Sequence, residues 1–151
     1  MLNDWLNKLQ NLWTRGAGGN SGASDGDPTA KPQPKDALGI RGENLAAREL
    51  QKKGYRILTR NFKTPVGEID IVARSGETLV FVEVKTRLYD EPAPEEQVNP
   101  AKMHQLTKAA KFYLSRYPNP PPARFDVVAI VWPQGQQPII RHTENAFEAT
   151  F

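Results

Sequence analysis

Three carboxylates and one lysine stand inside two short apolar segments, Gly67-Glu68-Ile69-Asp70-Ile71-Val72 and, beyond Ser75-Gly76, Val80-Phe81-Val82-Glu83-Val84-Lys85. Both segments have the β-branched and aromatic content of buried strands. Moving a carboxylate from water into such a sheet costs on the order of several kcal/mol unless it is paired or holds a cation. An acidic metal site is the simplest explanation. Hard carboxylate oxygens, with no cysteine in the chain and no histidine nearby, favour Mg²⁺ or Mn²⁺ over zinc. Such an ion polarises a phosphoryl oxygen and lowers the pKa of a bound water, while a lysine orients the water or neutralises developing negative charge. That combination fits phosphodiester hydrolysis. The competing explanation is a buried ion pair of Asp70 or Glu83 with Lys85 or Arg87. Two acids against one lysine leave net negative charge, which favours the metal.

Alternation along a strand puts Glu68, Asp70 and Val72 on one face, and Leu79, Phe81, Glu83 and Lys85 on one face of the next strand. A tight turn at Ser75-Gly76, with Arg74 paired to Glu77, sets Glu68 across from Glu83 and Asp70 across from Phe81. Asp70 and Glu83 are then diagonal neighbours, roughly 7–8 Å apart at the backbone, with side chains able to converge on one ion. Glu68 is a candidate third ligand.

The elements that must carry these residues are legible. Glu43, Ala46, Ala47 and Leu50 form one stripe of a helix expected from about Ile40 to Lys53 and ended by Gly54. Glu43 then faces the sheet from the first turn, where the helix dipole would also favour a carboxylate. Strands are expected over Tyr55 to Asn61, Gly67 to Ala73 and Thr78 to Thr86, as an antiparallel meander. Leu88 to Val98, rich in proline and acid, reads as a mobile loop beside the site. Asn99 caps a helix with Pro100 at its first position, its apolar face made by Met103, Leu106, Ala110, Tyr113 and Leu114. Arg124 to Trp132 is a nearly continuous apolar strand, and a last strand lies around Ile139 to His142. Asp126 reads as structural, and His104 and His142 as isolated polar groups.

Several of these segments carry a family resemblance. Asp70 followed by Glu83-Val84-Lys85 resembles the Asp…Glu-x-Lys signature of the PD-(D/E)xK nuclease superfamily, with its restriction-endonuclease-like fold. Gly39-Ile40-Arg41-Gly42-Glu43, Arg60-Asn61-Phe62, Gly67-Glu68-Ile69-Asp70, Phe81-Val82-Glu83-Val84-Lys85-Thr86-Arg87 and Glu144-Asn145-Ala146-Phe147 resemble the bacterial YraN-like family within it, which is similar to the archaeal Holliday-junction resolvases. The match runs from about Leu38 to the C-terminus. The resemblance implies an α/β core of mixed sheet flanked by helices, in the order α-β-β-β-α-β-β. It implies Asp70 and Glu83 as metal ligands, Lys85 as the catalytic lysine and Glu43 as an accessory ligand or water-positioning group. The position before Asp70 is Ile69, so the proline of the superfamily's name is absent there; Pro65 lies earlier.

Composition sets the bounds. The 151 residues suffice for one core. No run of eighteen apolar residues occurs, so no membrane span is expected, and the lack of cysteine agrees with a reducing cytoplasm. The net charge of +3 belongs to the domain, because residues 1–36 carry four basic and four acidic side chains. Residues 1–15 repeat Leu2, Trp5, Leu6, Leu9, Leu12 and Trp13 at helical spacing, an amphipathic helix expected to dock on its own domain, a protein partner or an anionic membrane surface. Residues 16–36, rich in Gly, Ser, Asp and Pro, read as a disordered linker, and 37–151 as the endonuclease-like domain. The expected partner is nucleic acid, DNA first, of branched or structured form. Arg60, Asn61, Thr86, Arg87 and Lys102 are candidate nucleic-acid contacts, and resolving two strands would call for a homodimer. The alternative is a non-catalytic nucleic-acid-binding adaptor of the same fold.

Overall fold

The computed structural model describes residues 37–149; the amphipathic helix and linker expected over 1–36 lie outside the described residues. The order is α1 (Ala37–Lys52), β1 (Arg56–Thr64), β2 (Gly67–Ser75), β3 (Thr78–Arg87), a 3₁₀ turn (Pro94–Gln97), α2 (Pro100–Leu114), β4 (Ala123–Val131) and β5 (Ile139–Phe147). This is the α-β-β-β-α-β-β sequence expected. The five strands form one sheet in the order β1-β2-β3-β4-β5. Among the described strands only β3 and β4 pair in parallel, because α2 carries the chain back between them, as a parallel pair requires.

Each face of the sheet buries one helix. Ala46, Ala47 and Leu50 of α1 pack on Ile71, Ala73, Val80, Val82, Val84, Val128 and Ile130. Leu106, Ala109, Ala110, Tyr113 and Leu114 of α2 pack on Ile69, Val72, Leu79, Phe81, Phe125 and Val127. The alternation of β3 and β4 supplies both faces, which is why these strands read as continuous apolar runs.

The helix ends follow local chemistry. Gly54, at φ +89°, closes α1: its N–H donates to Gln51 and that of Tyr55 to Leu50, a pair of bonds that needs a left-handed residue. Asn99 accepts from the Lys102 N–H at 3.0 Å, with Pro100 following, as expected. Gly42 is required by packing, since a Cβ there would lie 1.8 Å from Thr86 Oγ1. The close approach of α1 to β3 depends on its having no side chain.

Four expectations are corrected. Helix α1 starts at Ala37, three residues earlier than Ile40, and no acid lies in its first turn. The dipole explanation for Glu43 therefore loses its force. Strand β1 continues to Thr64, so Arg60 and Asn61 lie within it, Asn61 at φ +52°. The hairpin turn is centred one residue later, with Ser75 paired to Thr78, because Gly76 takes the first turn position at φ +58°. Finally, Leu88 to Val98 is fastened. Arg141 grips Asp90 at 2.6 Å and Glu95 at 2.7 Å, while Pro94 and Val98 are buried.

Candidate functional site

The corrected register changes how the two central acids meet. The β2–β3 ladder runs from Ser75↔Thr78 to Ile71↔Val82, and continuing it one position sets Asp70 opposite Glu83, not opposite Phe81. There the ladder gives way: Asp70 Oδ2 accepts the Val84 N–H at 2.8 Å, so a side chain replaces a backbone acceptor. The alternation of β2 also breaks at this residue. Ile69 packs on the α2 side with Val72, whereas Ile71 and Ala73 pack on the α1 side. Glu68, Asp70 and Val72 therefore do not share one regular face.

Glu83 lies on the α2 side with Phe81, 3% exposed. Its Oε1 stands 3.3 Å from Lys85 Nζ and 3.4 Å from Lys102 Nζ, and its Oε2 is buried without a hydrogen-bond partner. Burial pushes the Glu83 carboxyl up to about 7, with the nearby Asp70 charge adding to the effect and Lys102 and Lys85 opposing it. Two ammoniums on one oxygen thus do not balance burial plus a neighbouring acid. A partnerless buried carboxylate oxygen beside a second carboxylate is what a small divalent cation would satisfy, and the donors are hard oxygens. The residues present fit such an ion.

The other expected residues are placed as follows. Glu43 is buried on α1, 6% exposed, and Glu68 is half-buried at the start of β2. Among the described residues, no three His, Cys, Asp or Glu side chains are grouped to hold a metal ion; the convergent unit is the Asp70–Glu83 pair with its lysines. Lys102, expected near phosphate because of its place at a helix start, sits on Glu83. Thr86 turns toward Gly42 of α1, Arg87 lies against the Gln97 amide, and exposed Arg60 donates to Asn44 of α1 at 2.8 Å.

A second polar cluster was not legible in the sequence. Asp126 is fully buried and accepts from Arg124 Nε at 2.9 Å, His142 Nε2 at 2.8 Å and the Asn145 N–H at 2.9 Å. Burial alone works against its ionisation, but these donors outweigh it and hold its pKa below the ordinary carboxylate value. His142 is thus not isolated, as its sequence context implied. Tyr55 packs edge-on to its ring with centroids 5.7 Å apart and donates to Glu144 at 2.8 Å. Asn145, which lies within β5 at φ +49°, turns its N–H to Asp126, and no spacing in the sequence announces that contact.

The fold and site define an α/β protein with a mixed five-stranded sheet and a buried carboxylate pair served by two lysines. The chain belongs to the uncharacterised protein family UPF0102, whose model matches residues 42–130, in agreement with the YraN-like motifs. It is 49% identical over 116 residues to a UPF0102 protein of Geobacter sulfurreducens, covering 76% of this chain and 91% of that one. It is 48% identical over 111 residues to one of Thermodesulfovibrio yellowstonii, covering 73% and 95%, and 47% identical over 127 residues to one of Pelobacter propionicus, covering 82% and 90%. No helix among the described residues is long and apolar enough to cross a membrane.

Proposed function

We propose that this protein is a nucleic-acid-binding protein of the restriction-endonuclease-like class that hydrolyses DNA phosphodiester bonds with Mg²⁺ or Mn²⁺, branched or structured DNA being the favoured substrate. The observation that carries the reading is Glu83: a buried carboxylate opposite Asp70, with one oxygen on two lysines and the other without a partner. Asp70 and Glu83 would hold the ion, which supplies a Lewis acid for the phosphoryl group and a water of lowered pKa. The Val84 N–H fixes the Asp70 carboxylate, so its orientation needs no reorganisation on loading. Lys85 and Lys102, each about a quarter exposed, both contact Glu83 and would meet a phosphate bound at the ion. Glu43 is the accessory carboxylate of this reading and Glu68 a further oxygen donor. Arg60, Asn61, Thr86 and Arg87 would take backbone contacts.

The second reading is an adaptor that binds nucleic acid without cutting it, in a cytoplasmic complex in which residues 1–15 recruit a protein or a membrane surface. It is favoured by the engagement of Glu83 with two lysines and by the lack of a three-ligand cluster among the described residues. Calorimetry with Mn²⁺ and cleavage of four-way and flap DNA separate the two. The nuclease reading expects metal binding by wild type, its loss in Glu83→Ala, and cleavage abolished by Lys85→Ala in a folded protein. DNA binding with neither metal uptake nor cleavage establishes the adaptor. A dimer, which two-strand resolution requires, would appear as a doubled mass in solution scattering.

A further inference from the structure

The second polar cluster has a geometry of its own. Lys53 follows the last residue of α1, and its exposed Nζ lies 3.0 Å from His142 Nδ1. A lysine ammonium has donors only, so Nδ1 accepts. The ring proton is thereby placed on Nε2, which donates to Asp126 Oδ2 at 2.8 Å. The order amine, imidazole, buried carboxylate is that of an activated nucleophile, with the base oriented by a third group. The ring is itself buried, its side chain 4% exposed, and the edge contact with Tyr55 holds its plane. Beside it opens a cavity of about 130 Å³ lined by Glu49, Leu50, Lys53, Val128, Ile140 and His142. Lysine and imidazole share this cavity with three aliphatic side chains. The cluster lies on the α1 side of the sheet, with Val128 and Ile130 alternating from Asp126, whereas Glu83 faces α2. Glu43 of the proposed phosphodiester site lies on α1 ten residues before Lys53, about 15 Å along the helix axis, so the cluster is separate from that site.

We propose that Lys53 is a site of covalent acylation by small activated acyl donors, with His142 as its base, Asp126 as the orienting group and the cavity as the seat of a short acyl chain. The lysine reacts as the free amine left when its ammonium gives one proton to water, with Nζ hydrogen-bonded to His142 Nδ1. Nζ attacks the acyl carbonyl carbon; an N–C bond forms and the C–O bond to phosphate, or the C–S bond of a thioester, breaks with its electron pair on the leaving group. His142 Nδ1 takes the second nitrogen proton as the N–C bond forms, its imidazolium stabilised by Asp126, and hands it to the departing group. No oxidant or reductant enters. The product is an uncharged amide on the rim of α1, which removes one positive charge from the domain.

Lys52 provides an internal control, being adjacent, exposed and paired to Glu49 at 3.1 Å. The full-length chain is treated with acetyl phosphate or, separately, acetyl-coenzyme A, and site occupancy is followed by mass spectrometry. Lys53 is expected to react about tenfold faster than Lys52, below the ~10²–10⁴ of a dedicated general base because Arg124 shares Asp126. Whichever donor gives that selectivity identifies the source of the acyl group. His142→Gln should bring Lys53 down to the rate of Lys52, and so should wild type in urea, which needs no folded variant. Equal rates in native wild type, or a Lys53 preference that survives in urea, would overturn the proposal.

Discussion

Glu83 is where the sequence's oddity becomes an energetic one. Its pKa is raised from an ordinary value near 4.5 to about 7 by burial and by Asp70. Between those values the folded protein binds more protons than the unfolded chain, so metal-free stability falls as pH rises through that window and levels off above it. Urea unfolding in EDTA at pH 5 and pH 8 should show the loss for wild type. Glu83→Gln cannot ionise, so it should lose this slope and be at least as stable as wild type at pH 8. A wild-type midpoint independent of pH would mean that the lysines already compensate the charge. Divalent ions should reverse the wild-type loss above pH 7, and should do nothing for Glu83→Gln. This is the pattern of a residue kept for a ligand at the expense of stability.

At the scale of elements, the contact between α1 and β3 rests on Gly42. A methyl group there meets Thr86 Oγ1 well inside contact distance, so Gly42→Ala must lift the helix or turn the threonine, both of which disturb the neighbours of Val84 and Lys85. A loss of about 1–3 kcal/mol is expected by chemical denaturation, the range of overpacked cores. Gly54→Ala acts differently: space is open around it, but φ is +89°, so the cost is about 1 kcal/mol of backbone strain. Replacing Asn99 by Ala removes the acceptor for the Lys102 N–H, at a cost of about 1 kcal/mol. Because Lys102 itself sits on Glu83, Asn99→Ala should also weaken Mn²⁺-dependent behaviour beyond its effect on stability, read as a calorimetric change on the folded variant.

Across the whole molecule, the sheet with a helix on either face accounts for both core clusters within residues 37–149. A chain beginning at Ala37 should therefore keep the thermal midpoint of the full protein; a large drop would show that residues 1–36 contribute to the core. The segment between β3 and α2 is tied across the sheet to β5 by Arg141, whose guanidinium holds the Asp90 and Glu95 carboxyls below their ordinary pKa range. Arg141→Ala should raise hydrogen exchange over residues 88–98 with little change over β3 and β4. Exposed ion pairs contribute little each to global stability, but here two share one arginine and close a loop. Uniform exchange across that loop in wild type and variant would count against the tether.

What the residue pattern determined was everything governed by period and local chemistry. The order of elements, the stripes of α1 and α2, the Asn99-Pro100 start and the placement of Asp70, Glu83 and Lys85 on neighbouring strands all follow from apolar spacing and capping. What it left open was decided by contacts between distant segments. Gly76 is compatible with more than one turn, so the register that puts Asp70 against Glu83 required the packed sheet. The break in alternation at Asp70 depends on its bond to Val84, fourteen residues away. Lys102 on Glu83, and His142 between Lys53 and Asp126, join residues 19, 89 and 16 positions apart, and periodicity carries no information about which polar groups meet at such separations. Those meetings are fixed by burial, since a charge enclosed by the sheet must find its partner wherever the fold brings one.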